Sequence, residues 1–222
     1  MRRLPPGAEP DGEFDTHAAL RSGRRDLADY LEQLDLRDWG RPSLCEGWTI
    51  TDVVAHITSS TKGSWPQFIV GMARNLGNFD RWNATSARHQ AQLHTPEELV
   101  ALLRSEADSR HHSPGSSQLD QLVDLLVHGQ DISRVTDSPH PVPQGSAIAA
   151  LDHAVASRWY GAKKRFRNVR LSATDATWMI GDGPEVRGPL TALLLLSTGR
   201  TTALADVDGD GLPTVRARMQ LT

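Results

Sequence analysis

The stretch PSLCEGWTITDVVAHI, residues 42–57, decides how the N-terminal part of this chain is built. Residues 39–48, which include its first half, are rich in Gly and Pro and contain two tryptophans, which predicts an ordered turn because indole rings favour burial. Thr49 or Thr51 then caps a helix that has Asp52 in its first turn. Apolar residues recur along this helix at helical spacing and leave His56 on the flank of the apolar stripe. The stretch therefore delivers one histidine from a capped helix.

A second segment, 119-LDQLVDLLVHGQDI-132, predicts a helix with a polar patch inside apolar surroundings. Asp124, His128 and Asp131 fall within one sector of this helix, and apolar residues border that sector. Such a patch suggests that these groups face a bundle interior, where an uncompensated charge would be costly. Asp124 and His128, four residues apart, have the arrangement by which one helix supplies two metal ligands. Spacing alone also fits a surface ion pair or a hydrogen-bonded core histidine.

If His56 joins that pair, the site has two imidazoles and one carboxylate, which leaves coordination positions for water or substrate. Asp131 lies one turn beyond His128 and is interpreted as a charge on the helix surface, with a hydrogen-bond acceptor for a ligand, or an extra ligand, as alternatives. Cys45 lies just before a helix N-terminus, where the dipole lowers a thiol pKa. Packing as a small buried residue is the favoured interpretation of this cysteine.

Outward from these two segments, composition divides the chain into three parts. Residues 1–15 are rich in Pro, Gly and acidic side chains and are predicted to be disordered. Residues 16–143 are predicted to form a helical bundle, and residues 144–222 a small α+β domain beyond the Pro-rich segment that ends at residue 143. The expected helices of the bundle, besides those already described, cover residues 16–36, 64–76, 79–93 and 95–110.

The C-terminal part changes from helical to mixed periodicity. Short β-strands are expected at residues 169–173 and 177–180, closed by the Gly/Pro turn that follows. The other expected elements are a helix at 146–161, a helix at 190–197 that Gly199 ends, and a terminal strand at 215–219. The sequence thus predicts a mainly α protein.

Charge and cysteine content exclude several classes of protein. The net charge is −3 and the isoelectric point is about 6.3, so the chain has no basic field for nucleic acid or an anionic membrane. The single cysteine cannot form an internal disulfide, and no signal peptide is expected at the start of the sequence. No purely apolar run is longer than five residues, far short of the roughly 20 that span a bilayer. We expect a cytoplasmic protein, and the sequence leaves monomer and homodimer both open.

The two segments together carry a resemblance. LCEGWTITDVVAHI followed by LVDLLVHGQDI resembles the mycothiol-dependent maleylpyruvate isomerase family, whose N-terminal domain is a DinB-like four-helix bundle. ATDATWMIGDGPEVRGPLTALLLLSTGR is similar to the family's second domain, so the resemblance covers nearly everything after residue 15. It implies a divalent metal ion, with zinc expected, held by His56, Asp124 and His128. The family's carboxylate is Glu, so the shorter Asp124 is a departure that bears on reach, metal choice and affinity.

The resemblance also implies an activity. Mycothiol would serve as a cosubstrate whose sulfur adds to a small electrophilic substrate, giving cis–trans isomerisation if the sulfur leaves again and S-transfer if it stays. Arg187 and Arg200 are candidate contacts for a carboxylate of the thiol or the substrate. Two other functions need the same three ligands: a metal-binding module without catalysis, and a hydrolase that uses metal-activated water.

Overall fold

The computed structural model describes residues 14–60, 70–71, 73, 78–113, 115–136 and 138–220. The described residues separate into two compact units, one spanning Thr16–Pro141 and the other containing the residues from Val142 onward. The predicted helix at 64–76 lies largely outside the described residues. Among those that are described, every helix is too short or too polar to cross a bilayer.

The first unit is helical. Its helices are α1 (Thr16–Glu32), α2 (Leu36–Trp39), α3 (Ile50–Ser59), α4 (Phe79–Leu93), α5 (Pro96–Ser105) and α6 (Gln118–Ser133). Both α1 and α3 contact α5 and α6, which makes these four helices a bundle, while α4 packs on α3. The predicted four-helix bundle is therefore confirmed.

Capping fixes where three bundle helices begin. The Thr49 side chain accepts from the backbone N–H of Asp52, and the Asp52 carboxylate accepts from the Thr49 N–H, so Thr49 rather than Thr51 is the cap of α3. The same reciprocal box starts α5 at Thr95 and α6 at Ser117. Each box satisfies N–H groups that have no partner inside the helix. The start of α3, which carries His56, is therefore set by its own sequence.

Arg24 is one of several polar residues that are buried among the apolar side chains of the bundle. Arg24 on α1 is 3% exposed, and its guanidinium donates to the backbone oxygens of Glu106, Ala107 and Ser109 and to the Gln121 amide oxygen. The fork-shaped guanidinium satisfies several acceptors just beyond the end of α5. Periodicity alone does not reveal this role, because an arginine between apolar positions usually lies at the surface.

The second unit combines helices with a small sheet. Its elements are α7 (Gln144–Ala156), α8 (Ala162–Arg165), β1 (Arg170–Ala173), β2 (Met179–Ile180), β3 (Glu185–Gly188), α9 (Leu190–Ser197), a 3₁₀ helix (Thr201–Ala205) and α10 (Leu212–Met219). The strand order is β2–β1–β3, with β2 antiparallel and β3 parallel to β1. Leu171 therefore lies opposite Ile180 on one side and Val186 on the other. The α+β character of this part is confirmed.

Two strand predictions fail here. The expected terminal strand at 215–219 is wrong, because these residues belong to α10. Apolar residues at 215, 217 and 219 fit alternation, yet Val215 and Met219 are buried one above the other on a helix, as their spacing of four also allows. Strand β3 was not predicted, because Val186 is its single large apolar residue and its pairing with β1 is not visible in local sequence.

The turn between β2 and β3 requires glycine. The chain passes from one edge of the sheet to the other across the start of β1, and Gly181 and Gly183 have φ angles of 83° and 121°. A Cβ at Gly183 would lie 2.4 Å from the backbone oxygen of Asn168, and one at Gly181 2.5 Å from that of Val169. These glycines let the turn approach the backbone of the preceding segment closely.

Candidate metal centre

His56 projects from the last turn of α3, next to a hydrogen-bonded turn. In that turn the Trp48 carbonyl accepts from the Ser43 N–H, and Pro42 and Thr49 form a bridge. The Leu44 N–H donates to the Asp131 carbonyl at 3.3 Å, which fastens the turn to α6. The turn, α3 and α6 are thus held together next to His56.

The structure brings His56, Asp124 and His128 together. His56 Nε2 and His128 Nε2 each lie 3.3 Å from the same Asp124 oxygen, Oδ1. The two imidazole rings meet edge to face, with centroids 5.1 Å apart. The Asp124 side chain is 31% exposed, so the cluster is open on the carboxylate side.

These distances fit a metal ion. In tetrahedral zinc sites the metal–nitrogen and metal–oxygen bonds are about 2.0–2.2 Å, which places neighbouring ligand atoms about 3.3–3.5 Å apart. Both nitrogen–oxygen separations are 3.3 Å, and the three ligand atoms all lie within 4.8 Å of one another. The three side chains therefore have the spacing that a divalent ion needs, with room for further ligands.

The cluster is strongly coupled electrostatically. Burial would raise the pKa of Asp124, but the adjacent His56 and His128 hold it well below its usual range. Burial would lower the pKa of His128, yet the charge of Asp124 and hydrogen bonds to Asp124, Asp131 and Cys45 raise it well above its usual range. Without a metal ion, His128 and Asp124 thus form an ion pair, and a bound ion would take over the role of the positive charge.

Asp131 is part of this centre, and its interpretation as a surface charge is wrong. Its side chain is fully buried, and Oδ2 lies 3.0 Å from His128 Nδ1. A carboxylate in this position accepts the Nδ1–H of the imidazole, so Nε2 is the nitrogen that would coordinate a metal ion next to Asp124 and His56. The sequence contains the signal for this contact, because residues three apart on a helix are neighbours.

Cys45 also lies in the centre rather than only packing against it. Its Sγ lies 3.1 Å from Asp131 Oδ2 and 3.5 Å from His128 Nδ1, and its side chain is half-buried. Trp48 covers the two histidines, with its ring stacked on His128 at 6.3 Å and edge-on to His56 at 5.4 Å. The local sequence predicts Trp48 in an ordered turn, but the contact of its ring with the histidines depends on tertiary packing.

The remaining predicted residues lie elsewhere. Arg187 and Arg200 are in the second unit, where Arg187 pairs with Asp208 through its Nε and Arg200 donates to the Thr198 carbonyl. His140, in the first unit, is half-buried and packs on Tyr30 with ring centroids 4.9 Å apart.

The fold and the clustered side chains define a class: a helical bundle with a centre of two histidines and one carboxylate, followed by a small α+β unit. Residues 20–116 match the family model described as "Mycothiol maleylpyruvate isomerase N-terminal domain". The family predicted from the sequence is thus confirmed over this segment. The matched segment contains His56 and ends before α6, so Asp124 and His128 lie outside it.

Solved structures show the same fold. The chain is similar to a crystal structure of the mycothiol-dependent maleylpyruvate isomerase with a TM-score of 0.60 and 14% sequence identity, covering 88% of this chain and 91% of that chain. A histidine-to-alanine mutant of that isomerase gives a TM-score of 0.58 at the same identity and coverage. No curated protein sequence matches this chain.

Proposed function

We propose that this protein is a metal-dependent enzyme that uses a low-molecular-weight thiol, mycothiol, to act on a small electrophilic substrate. The observation that carries the proposal is the cluster of His56, Asp124 and His128, whose ligand atoms lie within 4.8 Å of one another in a bundle of the matched family. The isomerase named in the similar structures depends on mycothiol, which supports the choice of thiol.

The residues of this centre have separate roles in the proposed function. His56 Nε2, His128 Nε2 and Asp124 Oδ1 would hold a divalent ion, with zinc as our proposed metal. That ion would supply an electrophilic position at which a thiol is bound as thiolate. Asp131 keeps the proton of His128 on Nδ1, so that the ring presents a lone pair to the ion. Trp48 covers the imidazoles and limits the access of water to them.

The proposed reaction follows from the reactivity of a thiolate towards an electrophilic substrate. A thiolate adds to an activated double bond; if it leaves after rotation the product is the cis–trans isomer, and if it stays the product is a thioether. We propose Arg187 and Arg200 as contacts for a carboxylate of the thiol or the substrate. The Arg187 side chain is 57% exposed, which supports access to an anion. We also propose a cytoplasmic location, where a reduced thiol would be available.

The test measures turnover with and without mycothiol, starting from maleylpyruvate and extending to other small electrophiles. We expect product only when both metal and thiol are present, loss of activity in His56→Ala, and unchanged activity in His89→Ala, because His89 is an exposed residue of α4. Turnover without thiol would contradict the proposal and support the hydrolase. Metal binding without turnover of any electrophile would support the non-catalytic module.

A further inference from the structure

The imidazole of His128 lies between two different sets of metal-ligating atoms. Its Nε2 lies 3.3 Å from Asp124 Oδ1, on the side shared with His56. Its Nδ1 lies 3.0 Å from Asp131 Oδ2 and 3.5 Å from Cys45 Sγ. The second set therefore offers one sulfur, one nitrogen and one oxygen, whereas the first offers two nitrogens and one oxygen.

We propose that Cys45, Asp131 and the Nδ1 atom of His128 form a second metal site, selective for thiophilic divalent ions, whose occupation prevents an ion from binding at His56, Asp124 and His128. The three ligand atoms of the second set lie within 4.8 Å of one another. The site is made by residues of two segments, the turn before α3 and the C-terminal half of α6.

The geometry of this second set is close to that of a bound ion. A zinc–sulfur bond of about 2.3 Å and zinc–nitrogen or zinc–oxygen bonds of about 2.0–2.2 Å place the ligand atoms about 3.3–3.6 Å apart. The observed separations are 3.0, 3.1 and 3.5 Å. Small side-chain shifts would bring the three ligand atoms to the separations that a bound ion requires.

The backbone already holds the two segments in place. The Leu44 N–H donates to the Asp131 carbonyl, and the Cys45 N–H donates to Ser43 Oγ at 3.1 Å. Asp131 is fully buried while Cys45 is half-buried, so an ion reaches the site from the thiol side. The site therefore needs little reorganisation of the chain.

The chemistry of the ligands separates the two sites. A thiolate favours soft ions, whereas imidazole and carboxylate together suit borderline and harder ions. Binding at Cys45 releases the thiol proton and the Nδ1 proton of His128 to solvent. A neutral imidazole has a single lone pair, so coordination through Nδ1 leaves a proton on Nε2, which then faces Asp124 as a donor. The two sites are therefore alternatives.

A cadmium titration tests this site, because Cys45 is the single cysteine among 222 residues. The thiolate-to-cadmium charge-transfer absorption in the ultraviolet therefore reports this site alone. We expect the band to appear with one equivalent of Cd²⁺ in the full-length protein and to be absent in Cys45→Ser. In Asp131→Asn the apparent Cd²⁺ affinity should fall about 10-fold or more, the size of effect seen when a metal site loses a supporting group.

Controls separate a three-ligand site from a lone thiol. Asp108→Asn alters an exposed carboxylate on the same unit and should leave the cadmium titration unchanged. Equal Cd²⁺ affinity in Asp131→Asn and the parent protein, or no band at all, would overturn the site. Circular dichroism of each variant confirms that the fold is retained.

Competition tests the link between the two sites, which is the part of the inference that rests on the proposed function. Preloading with Zn²⁺ should lower the apparent Cd²⁺ affinity, and His56→Ala should abolish that effect without removing the band. A cadmium titration that is independent of Zn²⁺ would refute the exclusion. The thiolate band and the Asp131 effect stay testable even if the protein turns over no electrophile.

Discussion

Two side chains, His56 and His128, should determine metal content at the level of single residues. Each offers Nε2 to the same Asp124 oxygen at 3.3 Å, so removal of either leaves two ligands instead of three. We expect His56→Ala and His128→Ala each to lower metal affinity by more than about 100-fold, since even groups outside the ligand set are worth about 10–100-fold. Element analysis of the purified variants measures the loss.

A histidine outside the centre provides the control. His89 lies exposed on α4, and His89→Ala should keep the metal content of the parent protein. Full occupancy in His56→Ala or His128→Ala would remove that residue from the ligand set.

The contact between α1 and the segment after α6 should make stability depend on pH. His140 packs on Tyr30, and the Tyr30 hydroxyl lies 2.5 Å from Thr136 Oγ1 and donates to the Ser138 carbonyl at 3.2 Å. Burial lowers the pKa of His140, and nearby Asp26 opposes that effect only in part. In this contact the neutral imidazole is therefore the favoured form.

The lowered pKa of His140 determines how stability changes with pH. Above the unfolded-state pKa of about 6.5, His140 is neutral in both states. As pH falls through this value towards the lower folded-state pKa, the unfolded chain takes up the proton first, and stability is lost. We expect His140→Gln to weaken the fall in unfolding free energy below about pH 6.5. Urea unfolding at a series of pH values measures both proteins, and parallel curves would contradict the assignment.

The turn between β2 and β3 gives a second prediction at the level of elements. Gly183→Ala places a Cβ 2.4 Å from the Asn168 carbonyl oxygen at a φ of 121°, so the backbone has to move. We expect this change to cost about 1–3 kcal/mol of unfolding free energy. Gly40→Ala is the matched control, because a Cβ at Gly40 meets nothing within 4 Å and its φ is −83°. Thermal unfolding of the two variants compares them, and equal midpoints would contradict the close approach.

For the whole molecule, a metal that binds only the folded chain should raise its stability. The proposed ligands all lie in the unit Thr16–Pro141, so we expect a chelator to lower the unfolding temperature of that unit specifically. Free ion at 100 times the dissociation constant stabilises by about 2.7 kcal/mol. Differential scanning calorimetry with and without chelator measures the shift. The His56→Ala variant is the control and should show a smaller shift than the parent protein with chelator or with added zinc.

Local sequence signals account for most of the bundle and for part of the centre. The cap of α3 at Thr49 and the spacing of Asp124 and His128 depend on neighbouring residues, and both were predicted from the sequence. The contacts of Cys45 and the burial of Arg24 depend on segments far apart in the chain. Tertiary packing decides such contacts, and a single sequence carries no record of it.

Two elements of the second unit also could not be predicted from local sequence. Apolar residues at 215, 217 and 219 suit a strand and a helix equally over so short a segment, and packing selected the helix. Strand β3 depends on its register with β1, in which Val186 pairs with Leu171. The local sequence of residues 215–219 does not determine whether they form a helix or a strand, and the local sequence of β3 does not determine its pairing.

The strand order β2–β1–β3 also bears on how this sheet assembles. Only residues 174–178 separate β1 from β2, whereas β3 pairs with β1 across the longer span 174–184. Closing the shorter loop costs less chain entropy, so we expect the β1–β2 hairpin to form before β3 joins the opposite edge. The glycine turn at 181–184 is then the last piece of the sheet to settle. Folding kinetics of Gly183→Ala should accordingly show faster unfolding with nearly unchanged refolding.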